Sequence, residues 1–540
     1  MMNKQIIQQY FNSMAPQRPH WYAQNHLYHD QIVGVCKPFL NADSRVLELG
    51  CSTGQLLAAL NPAYGLGIDL SPDSIREATR RYPDLDWLCA DVEHLPADER
   101  LNQPFDLIII EDLLGYLEDI QTFLETIKGL SHSRTRIIVS TWNWLWEPIL
   151  RLGERLHLKA SDLEVRQNWI SATALINFLE IAGYDTVYTQ PGLLLPYAVP
   201  VIAAVINSLS YAPIVRRFTL LSVLVARPLE DQATHDYSVS VVIPTRNEAG
   251  NIQALIDRMP RMGTHTELVF VDGNSTDGTV EEIQRVIRST PQWDIKFIPQ
   301  VPPVTQDAAP TLMLKLGKGD AVRKGFQAAS GDILMILDSD ISVAPEALPR
   351  FYNALAAGKG QFANGTRFVY SQQMGAMRPL NRLGNVFFSL SFSWLLGQEI
   401  TDTLCGTKVL FKRDYERIAA NRDQFGDFDP FGDFDLLFGA AWIGLRLLDV
   451  PVHYAARTYG HSKVRVSSHG PLLGRMGLIA LWHFKIKPLF TGKKPMSTEQ
   501  SIDHIHQIDQ PTQMPTAVPA GLVVLVLGLL FWLWRGQIKR

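Results

Sequence analysis

Two aspartates, Asp338 and Asp340, follow directly on the apolar run from Ile333 to Leu337. A short continuous apolar run predicts a strand that is buried on both faces of a parallel sheet. Because an unpaired buried carboxylate is costly, we expect both aspartates at the carboxyl edge of that sheet, where open α/β sheets bind ligands. Side chains two residues apart leave a strand in the same direction, and carboxylate oxygens suit Mg²⁺ or Mn²⁺. The pair therefore predicts a metal site that neutralises a diphosphate leaving group.

Three further acidic residues end three other predicted strands. Glu48 precedes a loop in which Gly50 and Gly54 allow a tight turn and the close approach of a ligand. Asp69 ends the next strand, about 20 residues beyond the loop, where a carboxylate can bind both hydroxyls of a ribose. Asp91 follows the third strand, near the expected position of an adenine edge. The pattern predicts a nucleoside site in which Glu48 accepts hydrogen bonds from a cationic amine of the ligand.

Two series of alternating strands and helices position these residues. The first predicts strands at residues 45–50, 65–69, 85–91, 105–110, 135–140 and 220–228. The second opens at residue 238 and continues through 267–279 to the strand before Asp338. The predicted fold class is α/β, with two Rossmann-like doubly wound domains at residues 1–230 and 238–495. Residues 231–237 read as a linker and 496–516 as a flexible tether. The glycine loop has no counterpart in the second half, so the domains are not a duplication.

The C-terminal run from Ala517 to Trp534 is uncharged and rich in Leu and Val. At a rise of 1.5 Å per residue its 18 residues span roughly 27 Å, enough for a thin bilayer. A buried core helix is the alternative, but the run follows a polar tether. We therefore expect a transmembrane helix at 517–534. The polar N-terminus resembles no signal peptide, so we expect the catalytic domains on the cytoplasmic side of the cell (inner) membrane.

The bulk composition excludes some classes of function. The 540 residues are 46% hydrophobic and 19% charged, as in an ordinary globular protein, and the formal net charge is −4. A general nucleic-acid binder needs a basic footprint, so we expect no nucleic-acid partner. The four cysteines show no metal-ligand spacing, and their number suits a reducing compartment.

The glycine loop and the three strand-end acids together resemble the class I S-adenosylmethionine-dependent methyltransferases, over most of residues 1–228. The resemblance implies that Asp69 binds the ribose and that Asp91 and Val92 face the adenine. It places four residues around the methionine part of the ligand: Glu48, Gly50, Cys51 and Gly54. Tyr116 stands where a histidine is common in the family, which puts the acceptor chemistry in doubt. A non-catalytic module that senses the ligand, or acts as a scaffold, is the alternative for this domain.

The second half resembles the family 2 glycosyltransferases, an inverting family, over roughly residues 238–465. The stretches that carry the resemblance are VVIPTRNE, FVDGNSTDGT, GKGDAVRKGFQAASGD and the strand that leads to Asp338. The resemblance implies a nucleotide-diphosphate sugar as donor. It implies these residues as the nucleotide-sugar site: Pro244, Arg246, Glu248, Asp272, Lys318 and Arg323.

Three later stretches, NGTRF, TDTLCGTKVLFKRD and RTYGHSK, narrow the likeness to transferases that glycosylate polyprenyl phosphates, such as dolichyl-phosphate mannosyltransferase. Four cations would then bind the phosphates of donor and acceptor: Arg367, Lys408, Arg457 and Lys463. Lys408 departs from the arginine common in this branch, which would turn a bidentate contact into a point contact. A phosphate acceptor is already an anion and needs no general base. Apolar, aromatic segments at 374–400 and 472–494, flanked by Lys and Arg, fit either helices in a membrane interface or core helices with ordinary ends, and the membrane interface is slightly favoured for the second segment.

A second acceptor chemistry stays open at this point. The transferase would then act on a sugar hydroxyl of a lipid-linked or surface glycan, and the methyltransferase would methylate the same glycan. A hydroxyl acceptor requires a general base. The candidates for this base are Asp402, Asp427, Asp429, Asp433 and Asp435.

Overall fold

The computed structural model describes residues 4–147, 149–150, 152, 168, 170–195, 206–207, 210, 219–229, 235–300, 317–367, 369–370, 379–422, 433–455, 459 and 466–487. The chain divides into two compact units. The first comprises Met1–Gln232 with Val369–Ser371, and the second comprises Ala233–Phe368 with Gln372–Arg540.

Within its described residues, the first unit contains a seven-stranded sheet with the order β3-β2-β1-β4-β5-β7-β6. The first five strands in this order run parallel, whereas β7 is antiparallel to both of its neighbours. The strands are β1 (Arg45–Leu49), β2 (Tyr64–Asp69), β3 (Asp86–Cys89), β4 (Phe105–Ile110), β5 (Ser131–Trp142), β6 (Tyr184–Pro191) and β7 (Leu221–Pro228).

The helices of the first unit include three that precede the sheet in the chain. They are α1 (Lys4–Met14), α2 (Arg18–Gln24), α3 (His26–Cys36), α4 (Gln55–Leu60), α5 (Pro72–Arg81), α6 (Ile120–Lys128) and α7 (Ala172–Ile181). Their N-termini follow local sequence signals. Ser71, Asp119 and Ser171 each accept a hydrogen bond from a backbone N–H of the first helical turn of α5, α6 and α7, respectively.

The first sheet is covered on both faces because its central strands carry buried apolar side chains on both faces. Along β4, Leu107 and Ile109 pack into one core cluster together with α3 and α4, and Ile108 and Ile110 pack into another with α6 and α7. Successive side chains of a strand point to opposite faces, so a continuous apolar run requires two covered faces. Polar side chains that line a ligand site are therefore confined to the ends of the strands.

The second unit also has a seven-stranded sheet within its described residues, with the order β10-β9-β8-β11-β13-β12-β14. Strands β8 to β11 are parallel, and β13 is antiparallel to both β11 and β12. The strands are β8 (Val239–Thr245), β9 (Thr266–Asp272), β10 (Asp294–Pro299), β11 (Ile333–Ile336), β12 (Phe362–Thr366), β13 (Lys408–Phe411) and β14 (Leu447–Pro451).

Eight further helices surround this sheet in the described residues. They are α8 (Ala249–Asp257), α9 (Thr279–Ser289), α10 (Lys318–Ala328), α11 (Leu348–Ala356), α12 (Pro379–Leu396), α13 (Lys412–Ala420), α14 (Asp433–Trp442) and α15 (Val466–Leu481). A π-helical turn, Trp482–Ile486, continues from α15. Phe392, Phe438 and Phe484 bring α12, α14 and this turn together in one aromatic core.

Two α/β domains are confirmed, but the sheets are mixed and not parallel throughout. The strand that leads to Asp338 has a parallel neighbour, β8, on one side and an antiparallel neighbour, β13, on the other. No helix in the described ranges is long and apolar enough to cross a membrane. The transmembrane helix predicted at 517–534 lies outside the described residues.

The packing of α10 on the second sheet gives a stability prediction. A Cβ atom added at Gly325 would lie 2.3 Å from Cγ1 of Val242. We expect Gly325→Ala to lower the free energy of unfolding by about 1–3 kcal/mol, because strand and helix must move apart. Gly477 in α15 is the matched control, since an added Cβ there would meet nothing within 4 Å. Gly477→Ala should raise stability by up to about 1 kcal/mol through helix propensity. Urea unfolding of both variants measures the difference, and equal effects would contradict this packing.

Candidate functional sites

The loop between β1 and α4 adopts a left-handed backbone at three positions. The φ angles are 76° at Gly50, 49° at Ser52 and 82° at Gly54. Glycine is required at the last position for a second reason, because an added Cβ would lie 2.4 Å from the ring of Trp87. The predicted tight turn is therefore present, although Gly54 makes room for a protein side chain.

Asp69 lies at the end of β2, directly beside this loop. Its Oδ2 accepts the backbone N–H of Ser52 at 2.8 Å, and its Oδ1 accepts that of Ser71 at 2.8 Å. Burial raises the pKa of Asp69, while these two backbone bonds act in the opposite direction by favouring the ionised form. Each carboxylate oxygen carries more than one lone pair, so both oxygens can still accept hydroxyl groups of a ligand.

A cavity of about 230 Å³ opens beside Asp69 in the first unit. Four of the residues predicted to bind the ligand line it: Gly50, Asp69, Asp91 and Val92. Asp91 already accepts a hydrogen bond from Nζ of Lys4 in α1 at 3.0 Å, and this lysine also pairs with Glu93. The first helix thus contributes a positive charge to the cavity wall next to Asp91.

The structure places the other predicted residues of this site away from the cavity. Among the described residues, Glu48, Cys51 and Gly54 are not part of its lining. Glu48 is 1% exposed, and its Oε2 accepts the backbone N–H of Leu57 at 3.0 Å. Burial raises the pKa of Glu48 well above its usual value. The contact with Leu57 connects β1 to the first turn of α4.

Among the cavity residues that were not predicted from the sequence, five form a polar group. Glu111 and Asp112 follow β4, and Tyr28, His29 and Trp142 come from α3 and β5. The acidic pair at the end of a fourth apolar strand is the same signal that identified Asp69 and Asp91, so it could have been found. No local signal marks His29, which meets Glu111 across 82 positions of the chain.

Asp112 is the centre of a buried hydrogen-bond network. Oγ of Ser140 donates to its Oδ1 at 2.9 Å, Nε1 of Trp142 donates to its Oδ2 at 2.9 Å, and the hydroxyl of Tyr28 also donates to Oδ2. Burial raises the pKa of Asp112 to about 6, and the charge of Glu111 acts in the same direction. Three donors are needed to hold this carboxylate in place.

In the second unit, Asp338 and Asp340 lie just beyond β11. Oδ1 of Asp338 is 2.5 Å from Nζ of Lys318, the first residue of α10. Gly406 faces this pair, because an added Cβ would lie 2.1 Å from Oδ2 of Asp338 and 2.5 Å from Nζ of Lys318. Asp340 is 6% exposed, and its Oδ1 accepts the backbone N–H of Ser342 at 2.9 Å. The ammonium group of Lys318 thus occupies the space in front of Asp338, and residue 406 has no room for a side chain there.

The ends of β8 and β9 adjoin the same region of the sheet edge. Ser339, which lies between the two aspartates, donates its hydroxyl to the carbonyl oxygen of Pro244 at 2.9 Å. Asp272 is the last residue of β9, and its Oδ2 accepts the backbone N–H of Ser275 at 3.0 Å. Glu248 is buried and accepts a hydrogen bond from Asn251 at 2.8 Å, whereas Arg246 is exposed. The structure therefore places Pro244 and Asp338 at adjacent strand ends.

Arg367 forms a buried bidentate ion pair. Its Nε and Nη2 donate to Asp402 at 2.6 Å and 2.9 Å, and Asn385 donates to the same carboxylate at 2.8 Å. Against the effect of burial, which favours the protonated acid, Arg367 holds the pKa of Asp402 below its usual value. Arg367 also lies 5.0 Å from the ring centre of Tyr454. The guanidinium is thus held in a fixed position by its counter-charge.

The other predicted cations are placed differently. Lys408 is fully buried in β13 and donates to the carbonyl oxygen of Cys405 at 2.6 Å. Arg323 points from α10 to Asp435 of α14, at 3.5 Å. Arg457 and Lys463 lie outside the described residues, as do Asp427 and Asp429. Of the predicted nucleotide-sugar cations, the structure brings Lys318 to Asp338 and leaves Arg323 in a separate ion pair.

Comparison with known proteins agrees with this division into two α/β units. Residues 47–136 match the family model of a methyltransferase domain, and residues 240–301 and 312–418 match that of glycosyl transferase family 2. The chain therefore combines a methyltransferase domain with a family 2 glycosyltransferase domain. Both resemblances predicted from the sequence are confirmed.

Curated relatives of the second domain include transferases that are named for polyprenyl phosphates. A dolichol-phosphate mannosyltransferase of Pyrococcus furiosus is 33% identical over 234 residues, which cover 42% of this chain and 59% of the relative. An undecaprenyl-phosphate 4-deoxy-4-formamido-L-arabinose transferase of Edwardsiella ictaluri is 27% identical over 229 residues. These residues cover 42% of this chain and 62% of that relative. Each match spans less than two thirds of the relative's length.

Among solved structures, the magnesium protoporphyrin IX methyltransferase of Synechocystis PCC 6803 aligns with 42% of this chain and 99% of its own. The sequence identity is 18% and the TM-score is 0.30. A TM-score this low supports no inference about function.

The buried ion pair gives a second prediction. Asp402→Asn leaves the Arg367 guanidinium buried without its counter-charge, so we expect a loss of about 3–5 kcal/mol in the free energy of unfolding. The exposed bidentate pair of Arg258 and Glu346 is the matched control, with side chains 43% and 53% exposed. Glu346→Gln should cost less than about 1 kcal/mol. Urea unfolding measures both losses. A loss for Asp402→Asn as small as that for Glu346→Gln would mean that the pair of Arg367 and Asp402 contributes no more to stability than a surface ion pair.

Proposed function

We propose that the second domain moves a sugar, with inversion, from a nucleotide-diphosphate sugar to a polyprenyl phosphate, and that Asp338 and Asp340 hold a divalent cation during the transfer. The observation that carries this proposal is the cation position in front of Asp338. Lys318 lies there at 2.5 Å, and Gly406 leaves the space in which a Cβ would touch both groups. The names of the relatives supply the class of acceptor, a polyprenyl phosphate.

The residues present fit Mg²⁺ or Mn²⁺. Such ions prefer one or two carboxylates together with phosphate oxygens and water, and Asp338 and Asp340 are the carboxylates at this edge. When bound, the cation supplies positive charge to the diphosphate that leaves the sugar. Lys318 neutralises Asp338 and lies at the N-terminus of α10, where it can also contact a diphosphate. Asp272 at the end of β9 can accept hydrogen bonds from the edge of a uracil or guanine ring.

The acidic residues described near the site favour a phosphate acceptor over a hydroxyl acceptor. A hydroxyl needs a general base with room for a proton. Both oxygens of Asp402 accept hydrogen bonds from Arg367, and Asp435 pairs with Arg422 at 2.8 Å. Neither carboxylate is arranged to take a proton from a substrate. A phosphate acceptor is already ionised, and it needs cations that reduce repulsion between the two phosphate groups.

We also propose that the protein acts at the cell (inner) membrane, with both domains on its cytoplasmic side. Helices α12 and α15 and the π-helical turn after α15 support the membrane contact, because three of their large apolar side chains are more than half exposed: Leu390, Leu478 and Trp482. The ammonium of Lys485 lies 5.4 Å from the ring centre of Trp394. Exposed apolar side chains next to Lys and Trp are typical of helices that lie in a membrane interface. The predicted helix at 517–534 would add an anchor.

For the first domain we propose S-adenosylmethionine-dependent methyl transfer. The cavity brings the glycine loop, the ribose candidate Asp69 and the adenine candidates Asp91 and Val92 to one space. Asp69 can accept both ribose hydroxyls, and Val92 offers an apolar contact to the base. A module that binds the ligand without turnover is the alternative, and it predicts binding without transfer of the methyl group.

The metal site is tested by sugar transfer from labelled nucleotide sugars to purified polyprenyl phosphate. Asp338→Ala and Asp340→Ala should each lower the rate by about 100-fold or more, since charge stabilisation of several kcal/mol is lost. A chelator should have the same effect on the unchanged protein. Asp332→Asn is the matched control, because Asp332 lies at the opposite end of β11 and accepts hydrogen bonds from Ser238. Full activity of both alanine variants, or activity in chelator, would contradict the proposal.

Gly406 gives a separate prediction. In Gly406→Ala the new methyl group pushes aside Oδ2 of Asp338 and Nζ of Lys318. Both atoms lie at the ends of flexible side chains, so we expect the fold to persist. We expect the affinity for Mn²⁺ in the presence of a nucleoside diphosphate to fall about tenfold, a change of about 1.4 kcal/mol. Electron paramagnetic resonance titration of Mn²⁺ measures it. Unchanged affinity, at an unchanged melting temperature, would show that the metal does not bind in front of Gly406.

A further inference from the structure

The cavity of the first domain contains a histidine–carboxylate pair that the binding of a nucleoside does not explain. Nδ1 of His29 lies 2.9 Å from Oε1 of Glu111, and the two side chains are only 13% and 14% exposed. The ring of Tyr22 stacks on the imidazole, with 3.8 Å between the ring centres and 14° between the ring planes. An ionised carboxylate can only accept a hydrogen bond, so the contact with Glu111 places a proton on Nδ1, and in the neutral tautomer with that proton Nε2 carries the lone pair. The stacking and the hydrogen bond thus hold the imidazole in one plane and favour this tautomer over the other neutral one.

His29 faces the space in which the methyl donor would bind. It lines the same cavity as Gly50 and Asp69. Within the described part of the chain, Nε2 of His29 accepts no hydrogen bond from another residue. A ligand group in the cavity can therefore meet Nε2.

The remaining cavity chemistry indicates which kind of ligand this is. A neutral amine attacks the methyl group through its own lone pair, whereas a hydroxyl group needs a base that takes its proton. An imidazole held by a carboxylate is such a base, so the pair favours a hydroxyl acceptor. Much of the wall is aromatic, with Tyr10, Phe11, Trp21 and Tyr116, and such a wall suits an apolar ring or chain.

We propose that this cavity binds a hydroxyl-bearing methyl acceptor, and that His29 removes the hydroxyl proton while Glu111 positions the imidazole. This inference rests on the methyltransferase function proposed above. The acceptor oxygen forms the new O–CH₃ bond as the S–CH₃ bond of S-adenosylmethionine breaks, and the electron pair of that bond stays on sulfur. The proton passes from the oxygen to Nε2 of His29 and then to water. The products are a methyl ether and S-adenosylhomocysteine.

A second histidine–carboxylate pair in this domain lies outside the cavity lining and provides the control. Nε2 of His132 lies 3.1 Å from Oδ1 of Asp106, near the amino ends of β4 and β5, and neither residue belongs to the cavity lining described. His132→Gln removes the same type of contact as His29→Gln and leaves the proposed site intact. Any loss that both variants share is a loss of stability and not of catalysis.

The test uses the full-length protein with S-adenosylmethionine labelled in its methyl group. The acceptor probes are a lipid extract and an aqueous extract of source cells from which the gene has been deleted, so that unmethylated acceptor accumulates. The expected product keeps its label in mild alkali and releases it as methyl iodide in hydriodic acid, as a methyl ether does. Calorimetric titration with S-adenosylhomocysteine, which needs no acceptor, measures binding in every variant.

His29→Gln should lower kcat by about 100-fold or more, with KM for S-adenosylmethionine and Kd for S-adenosylhomocysteine unchanged. Glu111→Gln should lower kcat about tenfold in the same way, because it weakens the orientation of the base. Added imidazole should restore part of the rate in His29→Ala, which a merely structural histidine would not allow. His132→Gln should keep the rate of the unchanged protein.

If S-adenosylhomocysteine binds, four results would each contradict the proposal of a hydroxyl acceptor with His29 as base, and would leave the methyltransferase function standing. They are an alkali-labile methyl ester, an N-methyl product, a His29→Gln variant that keeps the rate, and no label in either extract. If S-adenosylhomocysteine does not bind the unchanged protein, the methyltransferase function itself is wrong.

Discussion

A carboxylate at the end of a strand that is buried on both faces is stable only where donors or cations meet it, and both domains are arranged around this constraint. In the second domain, Lys318 meets Asp338 at 2.5 Å in a space that Gly406 leaves open. The contact is a cation on an acid at the carboxyl edge of the sheet. A divalent cation also presents positive charge to carboxylate oxygens, and this likeness is the basis of the proposed metal-assisted sugar transfer.

The first domain meets the same constraint with hydrogen-bond donors. Backbone N–H groups hold Asp69, and side-chain donors from two elements, α3 and β5, hold Asp112. Glu111 is instead paired with an imidazole. Neighbouring acids at one strand end thus differ in their partners, because Asp112 accepts three side-chain donors and Glu111 meets one imidazole. The distinction comes from partners far away in the chain.

Apolar runs and strand-end acids were enough to predict two α/β domains and the strand ends that carry Asp69, Asp272 and Asp338. The antiparallel position of β13 and the edge strand β6 were not predicted, because Tyr184–Pro191 is largely polar and its pairing is set by tertiary contacts. Glu48 shows why a motif position is not yet a site. It stands near the end of β1, just before the loop, as expected, but it accepts a hydrogen bond from Leu57 within the core.

The most direct measurement of the metal site is anomalous diffraction from crystals of the full chain with Mn²⁺ and a nucleoside diphosphate. The account predicts a manganese peak at about 2.0–2.6 Å from carboxylate oxygens of Asp338 and Asp340, with Nζ of Lys318 moved from Asp338 towards the diphosphate. A bound nucleotide without manganese at these carboxylates, and with Lys318 still on Asp338, would contradict it.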